Sequence, residues 1–166
     1  MLSCVLSSFY CWAWLRLSAP AITLLIPNMA EVLVAGNVYD GRIYHQDPIG
    51  RSNGKWVLEP VSGEPEVFFI RDTKHNKYIV AGDRYDGRVY HQLPNNRSNA
   101  KWRLVPLADN YGSKTFHLID QKHNKAIVAG DVADNNVYHQ YPDRRPNSRW
   151  ALVPNFLCCS CSGTNC

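Results

Sequence analysis

One string of residues occurs three times in the chain: RIYHQDPIGRSNGKWVLEP from Arg42, RVYHQLPNNRSNAKWRLVP from Arg88 and NVYHQYPDRRPNSRWALVP from Asn136. Upstream of each stands a second echo, VAGNVYDG, VAGDRYDG and VAGDVADN. Its glycines, Gly36, Gly82 and Gly130, and the tryptophans Trp56, Trp102 and Trp150 recur at the same spacings of 46 and 48 residues. Two independent landmarks in one register mean that a single supersecondary unit is written three times, which excludes most folds at once. A third landmark precedes copies two and three, where FFIRDTKHNK from Phe68 matches FHLIDQKHNK from Phe116. The first copy has ITLLIPNMAE from Ile22 there, keeping the apolar strand and losing the charged turn.

Inside the unit the signals are all β. Short runs rich in Val, Ile, Tyr and Phe alternate with turn clusters such as Asp86-Gly87, Lys74-His75-Asn76 and Pro94-Asn95-Asn96. No window holds a 3.6-residue apolar period over three turns, so no helix is expected. Four strands per unit, the Phe68, Tyr78, Val89 and Trp102 runs in the second copy, predict about twelve in all. Three units are too few for a propeller. The fold class that fits is an all-β, pseudo-threefold β-trefoil, with half the strands closed into a barrel and half capping it as hairpins, over residues 22–157. Residues 1–21 read as a leader and residues 158–166 as a Cys-rich tail.

Strand alternation sorts the repeated positions into faces. Val89 and His91 share one side of their strand, and Tyr90 and Gln92 the other. Trp102 and Leu104 point one way and Arg103 the opposite way. The slot that varies between copies, Val57, Arg103 and Ala151, is read as outward. The Trp and Leu triplets and the set Ile43, Val89 and Val137 are read as core, each Trp or Leu contributing on the order of 2 kcal/mol by burial.

The length of 166 residues suits one domain with a real core. A net charge of +4, with the basic residues scattered, gives no footprint for nucleic acid. Cysteine is confined to the ends: Cys4 and Cys11 near the start, and Cys158, Cys159, Cys161 and Cys166 at the end. The repeated body therefore folds without disulfides. The tail LCCSCSGTNC matches no zinc signature and no prenylation box, and is expected to be disordered; metal binding, lipidation and self-pairing are the alternatives. The first 21 residues have the apolar centre and small Ala19 and Ala21 of a secretory signal, but their only charge, Arg16, follows the apolar run. A signal, which would make the protein secreted, an unstructured leader, which would leave it cytoplasmic, and a membrane anchor all stay open, although the run is short for a span.

Polar triplets are harder to explain by packing. Each unit carries Asn37, Asp83 or Asp131 after VAG, then Tyr44, Tyr90 or Tyr138, then Gln46, Gln92 or Gln140, then Asn53, Asn99 or Asn147. A ring that stacks on the C–H face of a pyranose, with carboxylate and amide groups that exchange hydrogen bonds with hydroxyls, is equipment for a sugar. Each such site would be weak, and three would raise avidity. Turn architecture is the alternative for Asn and Asp, which hydrogen-bond nearby backbone in any repeat.

With these motifs the chain resembles the ricin B-type β-trefoil lectin family, which ends each subdomain in Gln-x-Trp after a G-x-x-[VI]-x-L strand and a polar loop ending in Asn. DGRIYHQ...SNGKW, DGRVYHQ...SNAKW and NNVYHQ...PNSRW follow that layout. Gly54, Ala100 and Ser148 stand where the family has Gln, and its Leu is His here. The resemblance implies sugar contacts from the twelve residues named above, glycans or glycoconjugates as partners, membranes reached only through glycans, and no cofactor.

The repeated His45, His91 and His139 share a face with core Ile and Val and are read as buried, hydrogen-bonded imidazoles. Three of them converging on the axis around a zinc is the alternative, and no metal site is assigned. His75 and His123 are read as solvated turn residues. Symmetric triplets, with no Gly-x-Ser-x-Gly, His-Glu-x-x-His or phosphate loop, argue against an enzyme. The rival to a lectin is a trefoil that binds proteins, as an inhibitor or a cytoskeletal scaffold, through loops that differ between units. DPIGRS, LPNNRS and YPDRRP differ in charge and agree in length, which favours repeated small-ligand sites.

Overall fold

A computed structural model describes residues 20–155 apart from 38, 40, 49–51, 84–86, 94–96, 109–113, 132–134 and 143–144. Most of the expected leader, the whole Cys-rich tail and the Pro94-Asn95-Asn96 turn lie outside the described residues. Twelve strands follow in chain order: β1 (Ile22–Ile26), β2 (Glu31–Ala35), β3 (Ile43–Gln46), β4 (Trp56–Pro60), β5 (Val67–Asp72), β6 (Tyr78–Ala81), β7 (Val89–Gln92), β8 (Trp102–Leu107), β9 (Thr115–Asp120), β10 (Ala126–Ala129), β11 (Val137–Gln140) and β12 (Trp150–Pro154). Three single 3-10 turns, Ser52–Gly54, Ser98–Ala100 and Pro146–Ser148, lead into β4, β8 and β12.

The antiparallel pairings β1–β4, β4–β5, β5–β8, β8–β9, β9–β12 and β12–β1 close a ring of six strands. The other six form three hairpins, β2–β3, β6–β7 and β10–β11, in identical register: Ala35, Ala81 and Ala129 face Ile43, Val89 and Val137. This is the β-trefoil that the repeat predicts. Closure removes the unpaired edges that a sheet of this size would otherwise expose.

The core is triplicate like the sequence. Leu24, Ile70 and Leu118 of the barrel meet Leu33, Ile79 and Ile127 of the hairpins, all fully buried, and the three Trp close the layer. Each indole Nε1–H donates to a carbonyl of the hairpin above it, Leu33, Ile79 or Ile127, at 2.9 Å. Each Trp thus supplies both apolar area and the partner for a buried carbonyl, which explains why no other residue stands there. The outward slot is less uniform than its sequence suggests: Arg103 is exposed and Ala151 half-buried, but Val57 is buried.

Two turns in each unit need left-handed backbone. Gly41, Gly87 and Asn135 have φ of 65°, 63° and 54° at equivalent places in the hairpin tips. Ala30, Asn76 and Asn124 have φ of 54°, 57° and 55° before β2, β6 and β10. Gly and Asn take this conformation at little cost, so the Lys-His-Asn turns are explained; Ala30 in the first unit is strained.

Candidate functional site

The hairpins place the outward residues through their packing on one another. Single bridges join Arg42 to Tyr90, Arg88 to Tyr138 and Tyr44 to Asn136, so β3, β7 and β11 form a triangle about the pseudo-threefold axis. The His45, His91 and His139 amides donate to the Asn135, Gly41 and Gly87 carbonyls of neighbouring units at 3.0, 2.8 and 2.9 Å, locking each hairpin tip to the next hairpin. Tyr44, Tyr90 and Tyr138, all half-buried, are thereby gathered around one centre. A hollow of about 130 Å³ lies there, lined by Arg42, Arg88, Tyr90, Asn136 and Tyr138 among others.

This grouping differs from the one-unit pocket expected from sequence. Tyr78 pairs with Gln92 and Ala81 with Val89, so the exposed Asp83 and Gln92 lie at opposite ends of their hairpin, separated by more than three strand residues, or over about 10 Å. Asn37 with Gln46 and Asp131 with Gln140 stand in the same relation. A single sugar ring does not bridge them. Each tip instead meets the hairpin of the next unit, where the backbone of Tyr90 is bridged to Arg42, that of Tyr138 to Arg88 and that of Tyr44 to Asn136.

The loop asparagines have a different occupation. The amides of Asn53, Asn99 and Asn147 donate to the carbonyls of Ala35, Ala81 and Ala129 at 2.5, 2.8 and 2.7 Å, tying each 3-10 turn to the end of a hairpin strand. Asn37 accepts the Tyr39 amide at 3.0 Å in an Asx turn.

Sequence reasoning overlooked two aromatic platforms. Tyr39 at the first hairpin tip and Tyr141, directly after Gln140, are exposed, and the Lys125 ammonium lies 5.7 Å from the centre of the Tyr141 ring. The signal for Tyr141 was its place beside the repeated His-Gln pair, where the other units have Asp47 and Leu93. A second hollow, about 460 Å³, is lined in the first unit by Thr23, Val32, Gly54, Lys55 and Asn155 among others. Gly54, at the place of the lectin motif's Gln, puts no side chain into it.

The histidines depart most from expectation. All three hairpin histidines are buried, and His45 is paired with the carboxylate of Glu31. His91 and His139 are buried as expected, but their rings make no hydrogen bond of regular geometry, only weak contacts with the backbone of Asn37 and of Asp83. Burial pushes both imidazoles below the usual histidine range, partly opposed by Asp72 and Asp120 respectively, so the neutral forms dominate at pH 7. Nor do the three converge on the axis. His91 groups with Asp72 and His75, and His139 with Asp120 and His123, each within its own unit. His75 and His123 are not solvated: their side chains are 9% and 8% exposed, and their Nδ1 atoms lie 2.7 and 3.0 Å from the Asp72 and Asp120 carboxylates.

No protein-family model and no curated protein matches the chain. Solved structures do. The chain is similar to ThreeFoil, a designed three-fold symmetric protein, with a TM-score of 0.69 and 22% identity over 80% of this chain and 97% of that one. It is similar to a Polyporus squamosus lectin bound to the human-type influenza-binding epitope Neu5Acα2-6Galβ1-4GlcNAc, at a TM-score of 0.68 and 14% identity over 83% of this chain and 50% of that one. An exo-β-1,3-galactanase from Clostridium thermocellum gives a TM-score of 0.71 and 19% identity over 85% of this chain and 31% of the enzyme. Likeness at these identities establishes the β-trefoil fold, and the neighbours include a lectin and a glycosidase.

Proposed function

We propose that the protein is a non-enzymatic carbohydrate-binding module of lectin type, with up to three quasi-equivalent weak contacts around the pseudo-threefold axis. The observation that carries this reading is the axial hollow, lined by Tyr90, Tyr138, Arg42, Arg88 and Asn136 where the backbones of the three hairpins are bridged. A phenol ring offers a C–H stacking face, and a guanidinium or amide donates to ring hydroxyls or a sugar carboxylate. A hollow of about 130 Å³ suits one ring of a glycan rather than an extended ligand, so each contact is weak. Asp83, Asp131 and Asn37 at the tips, and Gln46, Gln92 and Gln140 at the hairpin bases, would extend the contact to neighbouring residues of a longer glycan. Asn53, Asn99 and Asn147 would act by holding the turns in place.

A glycan array probed with the full chain tests the proposal: binding is expected, weakened at least tenfold by Tyr90→Ala with Tyr138→Ala while the far-ultraviolet circular dichroism is kept. Unchanged binding in that variant would remove the axial site. A protein-binding trefoil is the second reading, favoured by the exposed Leu93, Tyr39 and Tyr141 on segments that differ between units. Absence of array signal together with a partner lost on Leu93→Asp would select it.

A further inference from the structure

We propose that the second and third units each hold one divalent transition-metal ion, zinc or a chemically similar ion, the second between Asp72, His75 and His91 and the third between Asp120, His123 and His139. This is independent of the sugar reading and involves none of its residues. In each group one carboxylate oxygen and one nitrogen from each imidazole lie within 4.8 Å of one another. The ring centres of His75 and His91 are 5.5 Å apart, and those of His123 and His139 are 5.4 Å apart. Two imidazoles bound to one tetrahedral zinc at about 2.0–2.1 Å have ring centres about 5 Å apart, so only a small closure is needed.

The independent sign of a ligand is the state of the deepest residue. His91 and His139 are each 1% exposed, and neither ring makes a hydrogen bond of regular geometry, the backbone of Asn37 and of Asp83 offering each only a weak contact. His139 Nδ1 comes no closer than 3.9 Å to the Asp120 carboxylate. Buried rings so poorly satisfied are uncommon, and finding the same one twice, beside the same Asp and His, points to a missing partner. A cation fits better than water, because the site supplies two imidazole nitrogens and a carboxylate, a donor set that suits zinc.

Entry of the ion requires little rearrangement. Asp72 accepts the Lys74 and His75 amides at 2.9 and 2.8 Å and the His75 ring at 2.7 Å; Asp120 accepts the His123 and Lys125 amides at 2.8 and 3.1 Å. These bonds fix the carboxylates and leave lone pairs for a metal. The ion takes the place of the contact between His75 Nδ1 and the Asp72 carboxylate, and any proton on that nitrogen moves to Nε2 or to solvent. Water completes the shell from the His75 side, the less buried edge of the site.

The first unit is the internal control. At the equivalent positions it has Ile26 for Asp72 and Met29 for His75, and its His45 is bonded to Glu31, where the other units have Lys77 and Lys125. Two of the ligands are lost together and the remaining imidazole has gained a protein partner, so no ion is expected there.

The test is isothermal titration of the full chain, its six cysteines blocked by alkylation, with zinc chloride. Two ions per chain are expected, one in His91→Gln, one in His139→Gln, none in the double variant and two in His45→Gln. Should a buried replacement unfold, His75→Ala and His123→Ala, nearer the surface, are expected to lose one ion each, with affinity at the altered site falling at least 100-fold. Failure of the native chain to bind zinc overturns the proposal, and so does zinc that persists in the His75→Ala, His123→Ala double variant.

Discussion

Replacing Asn99 separates a structural role from a sugar contact. Its amide donates to Ala81, whose backbone lies at the buried end of β6, and its Oδ1 is buried with no hydrogen bond. Asn99→Ala leaves the Ala81 carbonyl without a donor, which costs about 1–3 kcal/mol, but it also removes an acceptor that is itself unsatisfied. The two effects oppose, so the net loss is expected at the lower end, about 1–2 kcal/mol. Asn99→Asp is isosteric, yet it turns a carboxylate toward a carbonyl and keeps no donor; it is expected to cost at least about 3 kcal/mol, since a buried charge is left facing a like dipole. In a domain of this size the alanine change corresponds to a fall in Tm of roughly 2–8 °C. Thermal and guanidinium unfolding, followed by Trp fluorescence, measure both. An Asn99→Asp protein as stable as the parent would refute the reasoning, because the amide would then not be donating into the hairpin. Glycan affinity, measured well below the melting temperature, is expected to change less than threefold in Asn99→Ala if Asn99 acts only through the turn.

Three further outcomes are expected. His91 and His139, held below their ordinary value of 6.5 mainly by burial, take up protons more readily in the unfolded chain. Stability in chelator is therefore complete above about pH 6.5 and falls as pH drops below it, until the folded-state values are passed; a Tm that stays flat between pH 7 and 5 would contradict this. Ala30→Asn relieves a left-handed alanine at the site where the other units have Asn, and is expected to stabilise the protein by about 1 kcal/mol, read as a raised guanidinium midpoint. Trp102→Phe loses both indole volume and the donor to Ile79, and is expected to cost about 2–4 kcal/mol by chemical denaturation.

The fold was legible because it is periodic. Three equal registers of Gly and Trp imply three equal units, and strand parity puts Val89 and His91 inside and Tyr90 outside without any tertiary information. The grouping of polar residues was not legible, because it depends on which hairpin tip meets which neighbouring strand. Asp83 and Gln92 are close in sequence and far apart on the hairpin, whereas Arg42 and Tyr90 are distant in sequence and bridged across the axis. The asparagines recur for the reason that any turn residue recurs, so repetition alone did not separate scaffold from surface. The histidine groups did leave a trace: Asp-x-x-His precedes β6 and β10 but not β2, and where it is missing Glu31 pairs with His45. Comparing the units with one another, rather than averaging them, exposes that exchange.

Where a glycan touches the protein decides most directly whether the axial hollow is the binding site. Backbone amide shifts of the isotope-labelled full chain, recorded during titration with a glycan that binds on the array, are expected to move first at Arg42, Arg88, Tyr90, Asn136 and Tyr138. Shifts confined to the barrel strands, or to the Asp120–Lys125 turn, with the axial residues unmoved, would contradict it.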